Sequence, residues 1–187
     1  MDLIMRTAVA SDEPVFVQAQ VAGWQHAYKE QLPASYLHGS LIEERREFWR
    51  ECFKSTRPHQ LLAVAELHGD VVGVTCAFSA IPITHGECCI DQLYVLPSYK
   101  RMGVGKTLIA AAAAWCEERA STCVVLSVIE GNTDAVKFYQ ALGGIPRVAE
   151  PWLPPCGGSL SVLEFQWPDI RVLSAGASAP ALRANAP

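Results

Sequence analysis

The sequence predicts an α/β (α+β) fold: a mixed, mostly antiparallel central sheet with one parallel β-α-β pair and helices on both faces. Three observations predict it. An apolar strand over Cys88–Leu96, a helix over 106–120 and a second apolar run over Cys123–Ile129 follow one another with short breaks. A crossover of that length makes the two strands parallel and the connection right-handed. Two earlier apolar segments, Leu61–Leu67 and Val71–Ile81, meet at His68-Gly69-Asp70, a hairpin signal that makes them antiparallel. Finally, half of the 187 residues are hydrophobic and 18% are charged, which favours one domain with a substantial core over a disordered chain.

Each element has a local cause. Residues 3–8 (LIMRTA) suit a short first strand. Ser11 or Asp12 then caps a helix that accepts Pro14 in its first turn and extends to about Gln31. Phe16, Ala19, Gly23 and Ala27 recur along it at helical spacing, and Trp24 and Tyr28 form an i,i+4 pair on a neighbouring stripe. After a break at Pro33, a charged helix over 40–54 buries Phe48, Trp49 and Cys52. Pro82–Gly86 is a loop between strands, and Leu108, Ile109, Ala112, Trp115 and Cys116 make the apolar face of helix 106–120. Asn132 caps a short helix stopped by Gly143-Gly144. Two late strands, near 145–150 and 160–167, flank a turn at Pro154–Ser159. Residues 1–168 are read as one domain, and 169–187 as an Ala/Pro-rich tail that packs loosely.

Composition removes several function classes. A net charge of −4 is poor footing for nucleic-acid binding, which needs clustered positive charge. No apolar run reaches membrane-spanning length, and the N-terminus lacks the apolar run of a signal peptide. The seven cysteines form no C-x-x-C and no His/Cys cluster with zinc spacing, so no metal is expected. A reduced, cytoplasmic protein is expected, with Cys88-Cys89 as two neighbouring strand residues.

The stretch Lys100–Thr107 (KRMGVGKT) is the strongest candidate for a binding loop. It ends like a nucleotide-triphosphate P-loop, G-x-x-x-x-G-K-[ST], but Lys100 stands where the first glycine is required, and no later strand ends in a magnesium-binding Asp. It still describes an anion site. Gly103 and Gly105 allow a tight turn and a close ligand approach, the following helix offers unpaired N–H groups, and Lys100, Arg101 and Lys106 add three cations. A pyrophosphate fits this arrangement without metal.

Downstream residues narrow the choice. Leu93-Tyr94-Val95-Leu96-Pro97 reads L-Y-V-x-P. The loop matches [QR]-x-x-G-x-[GA] with Lys100 in the first slot and Arg101, Met102, Gly103, Val104 and Gly105 after it. Leu126 and Val128 give L-x-V. Asn132, Ala135, Phe138, Tyr139 and Gly143 give N-x-x-A-x-x-F-Y-x-x-x-G. Trp24 and Tyr28, Leu32-Pro33, Tyr36-Leu37, and Glu44-Arg45 with Trp49 add fragments in the N-terminal half. In this order and spacing the chain resembles the GNAT superfamily of acyl-CoA-dependent N-acetyltransferases.

The resemblance implies that the parallel pair splays apart and holds the pantetheine arm of acetyl-CoA like an added strand. Backbone groups of Leu93, Tyr94 and Val95 would bond its amides. Residues Lys100, Arg101, Met102, Gly103, Val104, Gly105 and Lys106 would surround the pyrophosphate, and Asn132, Ala135, Phe138 and Tyr139 would form the other lip. The reaction implied is direct attack of a primary amine, on a small molecule or a peptide, on the acetyl thioester. Tyr139 is the expected acid for the leaving thiolate. Many relatives place a glutamate at the slot of Cys89, so the base must lie elsewhere. Strand alternation puts Cys89, Asp91, Leu93 and Val95 on one face, which nominates Asp91, although a bulge would change that register. Glu87, just before the strand, and Glu130, just after the next one, are the other candidates, since deprotonation through water needs only one such carboxylate. Trp24, Tyr28 and His85 are candidates for the acceptor pocket, and a homodimer is expected by resemblance. A non-catalytic acyl-CoA-binding module on the same fold is the alternative.

Overall fold

The computed structural model describes residues 3–54, 57–79, 86–174 and 181–183. Seven strands form one sheet: β1 (Leu3–Thr7), β2 (Gln60–Leu67), β3 (Asp70–Ser79), β4 (Glu87–Val95), β5 (Cys123–Ile129), β6 (Ile145–Trp152) and β7 (Leu160–Trp167). Their spatial order is β1-β2-β3-β4-β5-β7-β6. Every neighbouring pair is antiparallel except β4 and β5, which run parallel as the intervening helix requires.

Two helices, α1 (Glu13–Ala27) and α2 (Leu41–Lys54), cover one face. There Phe16, Val17 and Ala19 of α1 and Trp49 and Cys52 of α2 close on Val64, Val74 and Cys76. Phe16 meets Trp49 edge-on with ring centres 4.7 Å apart. The other face carries α3 (Val104–Glu117), α4 (Thr133–Ala141) and the short α5 (Arg171–Ser174). Ile109, Ala112, Ala113 and Cys116 of α3 pack on Ala63, Ala77, Cys88, Ile90 and Val124. The alanine run makes this close: small side chains let the helix approach the sheet without gaps.

Several boundaries differ from expectation. Helix α1 ends at Ala27, and residues 28–32 tighten into turns in which Gln31 and Leu32 both donate to the Tyr28 carbonyl. Tyr28 leaves helical backbone (φ −118°, ψ 14°) as the C-cap, which ends the helix before the residue that Pro33 restricts. Helix α3 starts earlier than expected, at Val104, because Gly103 takes the left-handed conformation (φ +86°) as its N-cap. The segment after 168, expected to pack loosely, places Ile170 and Leu173 in the core. Arg183 bonds alongside β1, donating to Met5 and accepting from Thr7. Reduced cysteines throughout are also corrected. Cys88 and Cys116 face each other across the β4–α3 contact and are joined in a disulfide with Cα atoms 6.1 Å apart. Among the described residues no helix is long and apolar enough to cross a membrane.

Candidate active site

Strands β4 and β5 pair over only three positions, Glu87–Cys89 with Cys123–Val125. Beyond them the two strands separate, and the cause is local. The β3–β4 register shifts so that Cys76 faces Gln92 while Ala77 faces Ile90, leaving Asp91 as the extra residue of a bulge. A bulge bends its strand and increases its twist. Among the described residues, the β4 edge toward β5 therefore has no strand partner from Ile90 to Val95, nor does the facing β5 edge from Leu126 to Ile129. Both edges line one cavity of about 830 Å³, a volume suited to an organic ligand.

The bulge also corrects the expected alternation. Leu93 and Val95 pack with Val104 and Leu108 on the α3 face, whereas Tyr94 and Leu96 pack toward α1 and α2. Cys89 and Asp91 thus do not share a face with Leu93 and Val95 in one regular register. Cys89 is a half-buried thiol with its pKa raised to about 12, by burial first and then by nearby Asp91, Glu87 and Glu164. It stays protonated and cannot serve as a base near neutrality.

At the start of α3, Lys100, Arg101, Gly103, Gly105 and Lys106 line the cavity. Arg101 (φ +64°) and Gly103 both have left-handed backbone, which turns the chain sharply between β4 and the helix. A Cβ on Gly105 would sit 3.4 Å from the Phe138 ring and 3.7 Å from Val95, so its absence keeps the floor open there. The first-turn N–H groups of α3 and three cations make this end attractive to an anion. Val104 points instead into the core at 1% exposure, and Met102 is exposed outside the cavity lining. Only their backbone could contribute.

The opposite lip is α4. Asn132 caps it, its Oδ1 accepting from Ala135 N–H at 3.2 Å, while its Nδ2 donates to the Tyr28 hydroxyl at 3.5 Å. Capping and bridging are thus done by one side chain. Two turns on, Tyr139 is wedged among Phe138, Phe165 and Trp167, with ring centres 5.4, 5.5 and 6.1 Å away. Among the described residues its hydroxyl has no hydrogen-bond partner, and Tyr139 lines the cavity. Burial, with a smaller contribution from Tyr28, pushes its pKa well above the ordinary phenol value, so it remains a proton donor over the physiological range.

A second set of lining residues comes from α1, the turn at Tyr36–Ser40, α2 and β6. Trp24 stands edge-on to both Tyr28 and Trp152, each at 5.3 Å. Tyr36 donates to Glu44 at 2.9 Å, and burial together with that carboxylate raises its pKa to about 12. The Arg45 guanidinium lies 5.8 Å from the Trp24 ring centre and 5.3 Å from that of Phe48. With Asp91 and Glu150, Glu44 gives this part of the cavity three carboxylates against Arg45.

Of the residues nominated from sequence, Trp24, Tyr28, Asp91, Leu93, Tyr94, Val95, Lys100, Arg101, Gly103, Gly105, Lys106, Asn132, Ala135, Phe138 and Tyr139 all meet at this one cavity. Glu87 does not: it is exposed at the base of β4, opposite Cys123, and outside the lining. His85 lies outside the described residues. Sequence reasoning missed Gln20, Gln92, Glu150 and Trp152 in the lining. Gln20 left a usable sign, a polar residue on the apolar stripe one turn after Phe16, where an amide must find partners.

Comparison with known proteins gives a consistent result. The model of the acetyltransferase (GNAT) family matches residues 21–144. An uncharacterized N-acetyltransferase of Bacillus subtilis strain 168, YuaI, is 27% identical over 173 residues, covering 90% of this chain and 95% of that protein. The PaiA N-acetyltransferase of Thermoplasma acidophilum, solved in complex with coenzyme A, superposes with a TM-score of 0.68 at 18% identity, over 89% of this chain and all (100%) of that one. A ribosomal-protein-alanine N-acetyltransferase of Brucella melitensis gives 0.63 at 19% identity, over 88% of this chain and 98% of that one.

Proposed function

The chain belongs to the acetyltransferase (GNAT) family, N-acetyltransferases that use acetyl-CoA, and from that premise we propose that it acetylates a primary amine on a small molecule or peptide by direct attack. The observation that carries the reading is the divergence of β4 from β5 after Cys89, which leaves two open strand edges running from a cationic helix start to Tyr139.

These residues fit acetyl-CoA. The β4 edge at Leu93–Val95 offers amide partners to a pantetheine arm, in the manner of strand addition. Arg101–Lys106 offers N–H groups and cations to a pyrophosphate. Bound acetyl-CoA supplies a thioester whose C–S bond breaks as the amine nitrogen bonds the acetyl carbon, leaving coenzyme A as its thiol. A backbone N–H of Leu93–Val95 stabilises the oxyanion at the carbonyl. Tyr139 Oη gives its proton to the sulfur as the C–S bond breaks, and the second proton lost from the nitrogen as the amide forms restores the phenol.

The acceptor arrives largely as an ammonium, with a pKa of about 10.4 for a lysine-like amine, and Asp91 takes its proton, directly or through water. The ring surfaces of Trp24 and Trp152 with Glu44 and Glu150 suit an amine carrying an apolar or cationic body. The test is thiol release from acetyl-CoA across an amine panel. Release that rises with amine concentration supports transfer; tight acetyl-CoA binding without amine-stimulated release contradicts it.

A further inference from the structure

We propose that Gln20 is a positioning residue for Asp91, acting through Gln92; this rests on the assignment of Asp91 as the base. Gln20 is 0% exposed on α1, and an unpaired amide there would be costly. It is paired at every side. Its Oε1 accepts from Trp49 Nε1 at 2.7 Å, and its Nε2 donates to Gln92 Oε1 at 3.0 Å. Gln92 Nε2 in turn donates to Asp91 Oδ2 at 2.9 Å.

The polarity of this chain is not free to reverse. An indole N–H can only donate, so the Gln20 atom facing Trp49 must be its oxygen. Its NH₂ then faces Gln92, the Gln92 oxygen must face back, and the Gln92 NH₂ must face Asp91. The donor-only indole at one end therefore fixes the orientation of both amides. The same Gln20 Nε2 lies 3.5 Å from the Tyr94 hydroxyl, which also accepts from Trp24 Nε1 at 2.9 Å. Gln20 therefore ties α1 to β4 at two positions directly after the bulge. Asp91 is an exposed, unpaired bulge residue whose strand does not fix it, so a donor from Gln92 with a set direction aims its carboxylate. Without Gln20, the Gln92 side chain loses its anchor on α1, so its NH₂ can follow the Asp91 carboxylate and no longer sets its direction.

A double-mutant cycle tests this. Gln20→Leu keeps side-chain bulk and removes the relay. It is expected to lower kcat about ten- to a hundredfold, the scale of a misplaced reacting group, with KM for acetyl-CoA unchanged. In an Asp91→Asn background the same change should have almost no further effect on kcat. Normal kcat in Gln20→Leu overturns the relay alone. An equal loss in both backgrounds also overturns it, since Gln20 then acts elsewhere. Full turnover in Asp91→Asn removes the base assignment and the proposal with it. Should Gln20→Leu fail to fold, Gln92→Leu, at a half-buried position, completes the same cycle with the same outcomes.

Discussion

Tyr139→Phe separates catalysis from stability. The substitution deletes one oxygen and nothing else. The ring contacts with Phe138, Phe165 and Trp167 survive. No donor or acceptor among the described residues loses a partner, because the hydroxyl has none there. Folding stability should therefore change by no more than about 0.5 kcal/mol, the range of a substitution that breaks no packed or bonded feature. The chemical step should lose a proton donor, which is worth about 10²–10⁴ in rate, or about 3–5 kcal/mol. Acetyl-CoA affinity comes from the strand edge and the glycine loop and should be unaltered. The assay is the initial rate of thiol release at saturating acetyl-CoA and amine, beside thermal unfolding of both proteins. A variant with full stability and kcat within about threefold of the parent would refute the acid role. A variant that loses stability and activity together would show the hydroxyl to be structural.

Three further outcomes follow from the same geometry. Gly103→Ala adds a Cβ that meets nothing within 4 Å but forces alanine to φ +86°. The cost is backbone strain of about 1–2 kcal/mol, expected as a raised KM for acetyl-CoA with kcat little changed. Asn132→Ala removes the α4 cap and the tie to Tyr28; it should cost about 1 kcal/mol, lowering Tm by about 3 °C. Asp12 is pushed up by burial, but hydrogen bonds from Arg6 and from the Val9 N–H outweigh this and hold its pKa below the usual value. Its stabilisation is therefore complete above the unfolded pKa of about 3.9 and is lost as pH falls through the lower folded value. Asp12→Asn should cost about 1–3 kcal/mol at pH 7, with the two denaturation midpoints converging in acid; a constant difference at all pH values would contradict the pairing.

Much of this architecture was legible because periodicity and turn chemistry agreed with each other. The apolar run at Cys123–Ile129, the His68-Gly69-Asp70 turn and the Gly103-x-Gly105 loop each have a single sensible structural solution, and the β-α-β handedness follows from sterics. The bulge at Asp91 was not legible. It depends on how β3 and β4 settle their register across the sheet, and nothing in the string Cys88–Val95 marks which residue will be extra. That one slip moved Leu93 and Val95 to the other face from the one alternation assigns relative to Cys89. The Cys88–Cys116 pairing likewise depends on a strand–helix contact invisible in sequence. Gln20 was hidden for another reason: one polar residue in an apolar stripe reads as noise until Trp49 and Gln92 are found on either side of it. Segment 169–174 looked like tail because Ile170, Val172 and Leu173 form too short a run to show a period, yet Ile170 and Leu173 find the α3 core.

The position of the thioester sulfur decides whether this cavity is the catalytic site. A crystal structure with coenzyme A bound would test it. The pantetheine arm is expected between β4 and β5 beyond Cys89, the pyrophosphate at residues 101–106, and the sulfur within hydrogen-bonding reach, about 3.5 Å, of Tyr139 Oη. Coenzyme A lying outside the divergent strands, or a sulfur far from Tyr139, would contradict it.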